Sequence, residues 1–207
     1  MVDIAHVASR IRAKAGEAGR IIVAIAGPPG AGKSEMSARL AKLLPESALV
    51  PMDGFHFDNA VLTAIGLSDR KGAPETFDCA GLEASLLRLR AGDADVAVPL
   101  FDRAADLARA GAAIVPAAAP IVLVEGNYLL LDRVPWTRLA RLFDLTVFID
   151  VPLDELERRL LARWAHHCRE SAAARAWVEG NDLPNARLVL AKSRPADIVW
   201  HNYDRIA

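Results

Sequence analysis

The chain has 207 residues, 53% of them hydrophobic and 25% charged, with a formal net charge of -1. This composition excludes a disordered chain and suits one compact soluble domain with an extensive core. The near balance of acids and bases removes any global field favouring nucleic acid or an anionic membrane, so an anion site must be local.

Cys79 and Cys168 cannot build a disulfide framework or a thiolate zinc site, which fits a reducing cytoplasm. The N-terminus, MVDIAHVASRIRAKAGEAG, carries no apolar signal core, and no stretch approaches roughly 18 consecutive apolar residues. The expectation is therefore a cytoplasmic protein with no export and no membrane span.

Ile4, Val7, Ala8 and Ile11 fall at helical spacing and predict a packing helix over about 2–15, stopped by Gly16 and Gly19. RIIVAIAG is a continuous apolar run rich in β-branched residues, as in a strand buried on both faces of a parallel sheet. KSEMSARLAKLL follows as an amphipathic helix ended by Pro45, and SALVPMD gives a second short strand. Leu82, Leu86 and Leu89 mark a helix closed by Gly92. DVAVPLFDR and AAIVP read as two short strands, a hairpin beside the main sheet, because Pro99 and Pro116 argue against central positions. IVLVEG and LTVFIDV are further buried strands, with a helix around Trp136 to Phe143 between them. Leu153, Leu156, Leu160, Leu161 and Trp164 give another helix, Gly180 to Pro184 breaks the helical material after it, and ADIVWH closes the chain as a strand. Strands alternating with helices predict an α/β doubly wound domain with a mostly parallel sheet and helices on both faces. Ligands in such sheets sit at the carboxyl ends of the strands.

The first of those ends reads GPPGAGKS, the phosphate-loop pattern. Over Gly27, Pro28, Pro29, Gly30, Ala31 and Gly32 the glycines let backbone N–H groups turn inward around an anion. Lys33 neutralises the outer phosphates, Ser34 offers a hydroxyl to Mg²⁺, and Glu35 lies in the first turn of the helix. The pattern points to ATP or GTP with Mg²⁺ and says little of what is done with it.

The order GPPGAGKS, MDGFHFD, TFDCAGLEASLLRLRAG, VPLFDR, IVLVEGNYLLL, RLLARW, SRPADIVWH resembles the uridine kinase, phosphoribulokinase and type I pantothenate kinase superfamily, and most of all its bacterial nucleoside/nucleotide kinase-like branch, which includes proteins named fructose transport system kinases. The likeness runs from about residue 20 to the end. It implies a three-layer P-loop fold over 1–207 with a small helical lid at about 155–182, and ATP- and Mg²⁺-dependent transfer of the γ-phosphoryl group to an alcohol of a small metabolite.

In this family the aspartate matching Asp53 serves as general base, and a carboxylate after the second strand suits that task. The bland reading is a turn-former before Gly54. His56 is a candidate substrate contact or a loop cap, and Phe55 and Phe57 an apolar wall or core contact. Glu125 ends an apolar strand, a costly place for a charge unless it meets a cation, and joins Ser34 as a candidate metal ligand. Asn127 and Tyr128 are substrate candidates, with a turn at Gly126-Asn127 as the alternative. Asp78 matches a segment that binds ribose hydroxyls in uridine kinases, or caps the next helix. Phe101 stands where uridine kinases carry tyrosine, which weakens the case for a nucleoside base. Arg103 binds an anionic substrate group or pairs with Asp102. Lys71 and Glu75 fall in a mobile substrate loop.

Arg159, Arg163 and His167 lie four apart on one helix face, with Arg158 adjacent. The resemblance gives Arg159 and Arg163 the charge-stabilising role of lid arginines, against a solvated face paired to Glu155. Asn181, Asp182 and Asn185 continue the family-like stretch or shape a helix break. Arg194 and Pro195 resemble the segment that packs by the adenine through backbone groups. The reading leaves room for a homodimer. Two other classes compete: a GTP switch, which needs an N-K-x-D segment this chain lacks, and a nucleotide-binding regulator of a transport system without turnover.

Overall fold

The structure, a computed structural model, describes residues 3–166 and 171–203. His167 and Cys168 lie outside the described residues. Helix α1 (Ile4–Ala18) precedes β1 (Ile21–Ala26), α2 (Lys33–Leu43) and β2 (Ser47–Pro51). A 3₁₀ turn (Met52–Phe55), α3 (Asn59–Ala64) and α4 (Cys79–Ala91) follow. Then come β3 (Val96–Asp102), β4 (Leu107–Val115), β5 (Ile121–Gly126), a 3₁₀ segment (Trp136–Leu142), β6 (Leu145–Asp150), α5 (Leu153–His166), α6 (Ser171–Trp177), a π-turn (Val178–Asp182), α7 (Leu183–Lys192) and β7 (Ile198–His201).

Five strands form a parallel sheet in the order β2-β5-β1-β6-β7, and β3 and β4 form a separate antiparallel pair. The apolar runs explain the order. β1 and β5 are buried at every position and take inner places, whereas β7 at one edge alternates buried with open. Alternation along β1 divides the core: Ile22, Ala24 and Ala26 face a cluster with α4 and Trp136, while Ile21, Val23 and Ile25 face α1 and α2. Pro99 sits in β3 where the register slips between Val98 and Leu100, as a residue without an N–H should. Among the described residues no helix is long and apolar enough to cross a membrane.

Three local expectations change. Gly16 lies inside α1, and Gly19, at φ 78°, is the cap that ends it. The segment from Trp136 is 3₁₀ rather than α. Gly180 to Pro184 does not break the helical path: the chain passes through the π-turn straight into α7, with Pro184 in its first turn, where no intrahelical N–H bond is required.

Strand register decides what meets at the carboxyl edge. Ala26 pairs with Gly126, and Pro51 with Glu125, so the strands preceding the glycine-rich loop, Asp53 and Glu125 end level with one another. Two glycines then permit close approach. A Cβ on Gly126 would lie 2.5 Å from Met52 Cβ, and one on Gly54 would collide with the carbonyl of Pro99. Gly54 is therefore needed for packing of the Asp53 turn against β3, beyond any turn propensity. Gly54→Ala should destabilise the fold by about 1–3 kcal/mol, read as a lowered denaturation midpoint, and should cost activity by displacing Asp53.

Candidate active site

The loop from Gly27 to Gly32 leaves β1 and enters α2. Gly30 and Gly32 hold φ of 82° and 89°, which only glycine adopts without strain. Lys33 is 8% exposed, and its Nζ donates to the Pro28 carbonyl at 2.9 Å. Burial pulls Lys33 down to about 8; Glu125 and Asp53 oppose that shift, while Arg163 and Arg103 add to it. Glu125 is 6% exposed, and burial, with Asp53 beside it, pushes its carboxyl upward against Lys33 and the Ser34 hydroxyl. Ser34 Oγ donates to Glu125 Oε1 at 3.2 Å.

Two cavities adjoin here. The smaller, about 270 Å³, is walled by the glycine-rich loop, Lys33, Ser34, Glu35, Glu125 and Arg159. The larger, about 570 Å³, is walled by His56, Lys71, Phe77, Phe101, Asp182 and Asn185 among others. Pro29, Asp53, Arg103, Asn127 and Arg163 border both. Asp53 Oδ2 accepts from Arg103 Nη2 at 3.0 Å, and so Arg103 pairs across the cleft rather than with its neighbour Asp102, whose nearest cation is Arg109 at 3.8 Å. His56 Nδ1 lies 2.8 Å from the Asp53 carbonyl, and its ring packs on Phe77 and Phe101 with centroids at 3.9 and 4.8 Å. Phe55 belongs to the core, not to either cavity wall.

Other candidates settle elsewhere. Asp78 caps α4, accepting from Gly81 N at 2.8 Å, and borders neither cavity, because a short aspartate preceding a helix folds back onto the first free N–H groups. Tyr128 is fully buried and donates to the Gly72 carbonyl at 2.6 Å. Arg194 and Pro195 also border neither cavity; the Arg194 backbone N–H donates to Leu130 O at 2.8 Å. Arg159 donates to Glu155 Oε1 at 2.6 Å and to the Asn202 carbonyl at 2.7 Å. Hydrogen bonds from Arg158 and Arg159 hold Glu155 at about 2. Arg163 lies over the Trp164 ring at 5.8 Å and has no hydrogen-bond partner among the described residues; desolvation, then Arg103, lowers its pKa.

Three participants carried no sequence signal. Asn202, just past β7, donates to the Ala31 carbonyl at 2.8 Å and takes Arg159 on its own carbonyl, tying the glycine-rich loop to α5. Asn59 and Asp106 close on Lys71: Nζ meets Asn59 Oδ1 at 2.6 Å and Asp106 Oδ2 at 2.9 Å. Lys71, expected in a mobile loop, is further fixed through its carbonyl by buried Asn181 at 2.8 Å.

Residues 22–167 match the phosphoribulokinase / uridine kinase family. The chain belongs to this family. It is a small-molecule kinase that uses ATP, with the α/β P-loop kinase fold. The Escherichia coli protein YggC is 38% identical over 186 residues, covering 87% of this chain and 77% of that one. A pantothenate kinase of Myxococcus xanthus is 34% identical over 155 residues, 69% of this chain but 49% of that enzyme. The structure of a protein from Silicibacter sp., provisionally named a fructose transport system kinase, superposes with a TM-score of 0.90 at 41% identity, over 97% of this chain and 100% of that one.

Proposed function

We propose that the chain transfers the γ-phosphoryl group of ATP to an alcohol of a small metabolite held in the larger cavity. The observation that carries this reading is that Asp53 borders both cavities, where one carboxylate can face an acceptor hydroxyl and the terminal phosphate together. The glycine-rich loop and Lys33 hold the phosphates. Asp53 orients the hydroxyl and takes its proton as the new O–P bond forms and the bond from phosphorus to the β,γ-bridging oxygen breaks, leaving ADP. Arg163, which has no acceptor among the described residues, stabilises charge on the transferred group. Arg159 holds α5 to the loop through Asn202, and the segment over 155–182 acts as the lid.

Mg²⁺ fits Ser34 and Glu125. Glu125 is a buried carboxylate whose one side-chain hydrogen-bond partner among the described residues is a neutral hydroxyl, and Mg²⁺ ordinarily binds one or two carboxylates plus substrate phosphates rather than a full protein cage. Bound there, the ion would neutralise phosphate charge.

Incubation with ATP, Mg²⁺ and a panel of sugars, nucleosides and pantothenate should yield a phosphorylated product by mass. Tight ATP binding with no product from any alcohol would favour a non-turnover regulator. The lowered Lys33 gives a second expected result. Phosphate beside the ammonium favours its charged form, so ATP binding should take up protons near pH 8, and the uptake should fade toward about pH 7, where Lys33 is already charged. Calorimetry in buffers of differing ionisation enthalpy measures this, and Lys33→Met should abolish it.

A further inference from the structure

The wall of the larger cavity distinguishes kinds of acceptor, an argument that rests on the phosphotransfer reading. Two of its three cations, Lys71 and Arg103, are already engaged. All three N–H groups of Lys71 are used, on Asn59 Oδ1 at 2.6 Å, the Asp106 carbonyl at 2.8 Å and Asp106 Oδ2 at 2.9 Å. Asn59 Nδ2 donates back to Asp106 Oδ2 at 2.9 Å, so the three side chains close on one another. Arg103 faces Asp53 at 3.0 Å, and an anion seated on Arg103 would lie against that carboxylate. Arg163, without a hydrogen-bond partner among the described residues, borders the phosphate cavity as well, where the transferred group takes it. The charges on the wall cancel: Lys71, Arg103 and Arg163 against Asp53, Asp106 and Asp182.

Away from Arg163, three groups of the wall are left to accept hydrogen bonds. His56 Nδ1 must carry its proton to bond the Asp53 carbonyl, and burial keeps the ring neutral, so Nε2 offers a lone pair. The Asn185 Nδ2 group donates to Asn181 at 3.3 Å, which leaves its Oδ1 as an acceptor on a residue that lines the cavity. Asp53 Oδ1 has no partner among the described residues. Such a surface meets donors, and hydroxyl groups are donors, whereas carboxylates and phosphates only accept. Phe77 and Phe101 supply apolar faces for the carbon skeleton.

We propose that the acceptor is an uncharged polyhydroxy compound, and that this cavity discriminates against alcohols carrying a carboxylate or phosphate. The test uses matched pairs: fructose and fructose 6-phosphate, ribose and ribose 5-phosphate, pantothenol and pantothenate. Transfer from ATP is measured for each, and binding is measured with a non-hydrolysable ATP analogue present. In the pair containing the best acceptor, the neutral member should be favoured about ten-fold or more in kcat/KM. Equal use of both members, or preference for the anionic one, overturns the proposal while leaving phosphotransfer intact. Transfer to no member overturns the phosphotransfer reading itself, and failure of every neutral compound to bind overturns the acceptor class independently of turnover. Asp106→Asn gives a second readout, since it removes, at an exposed position, the carboxylate charge that neutralises Lys71 while leaving the bonds of Lys71 to Asn59 and to the backbone carbonyl. The anionic-to-neutral ratio of kcat/KM should rise about ten-fold, and an unchanged ratio would contradict the charge argument.

Discussion

Asp53→Ala should lower phosphoryl transfer by about a hundred- to ten-thousand-fold while ATP still binds, because a positioned general base contributes on that scale and the phosphate cradle is built from other residues. The side chain stands between two cavities, on a turn fixed by the close approaches at Gly54 and Gly126, and removing it leaves that turn unburdened. The variant should therefore keep its denaturation midpoint. Arg103 would lose its anionic partner, and KM for the acceptor should rise as the freed guanidinium disturbs the wall. Transfer kinetics and calorimetric ATP affinity on the same preparation separate these effects; unchanged transfer would remove Asp53 from the mechanism.

Arg163→Met should lower kcat by about a thousand-fold with little change in KM for ATP, the pattern of a contact made mainly in the transition state. Its guanidinium borders both cavities and has no hydrogen-bond acceptor among the described residues, whereas Arg159 is engaged by Glu155 and Asn202. Arg159→Met should accordingly act on ATP affinity, through the loop that Asn202 braces, more than on kcat. Measuring kcat and KM for both variants tests the division of labour, and equal effects on kcat would contradict it.

The main sheet was legible in the sequence because β1 and β5 are unbroken apolar runs, and the phosphate loop because its glycines and lysine follow such a run. Glu125 was legible for a related reason: a charge at the end of a buried strand demands a partner. The short and irregular pieces were not. α3 has six residues, too few for a periodic signal, and the first half of β4, mostly open, gave none, although its end over 112–115 was read as a strand of the hairpin. The π-turn escaped notice because Gly180 and Pro184 are also the marks of a helix end.

Side-chain pairing was least visible. Arg103 and Asp53 are separated by 50 residues, and Asn202 and Ala31 by 171; packing of the Asp53 turn on β3 brings the first pair together, and the order of β1, β6 and β7 in the sheet the second. Asp78 shows the converse difficulty: an aspartate before a helix serves equally well as cap or hydroxyl ligand, and local sequence does not separate the two. The structure gives it the cap.

The central claim is that an acceptor hydroxyl attacks the γ-phosphorus of ATP at the junction marked by Asp53. ATP labelled with ¹⁸O on the non-bridging γ-oxygens, incubated with Mg²⁺ and the preferred acceptor, tests it by product mass. The account expects a phosphorylated acceptor that carries the label and keeps its own oxygen as the bridge to phosphorus. Label found only in inorganic phosphate, with the acceptor unchanged, would contradict it.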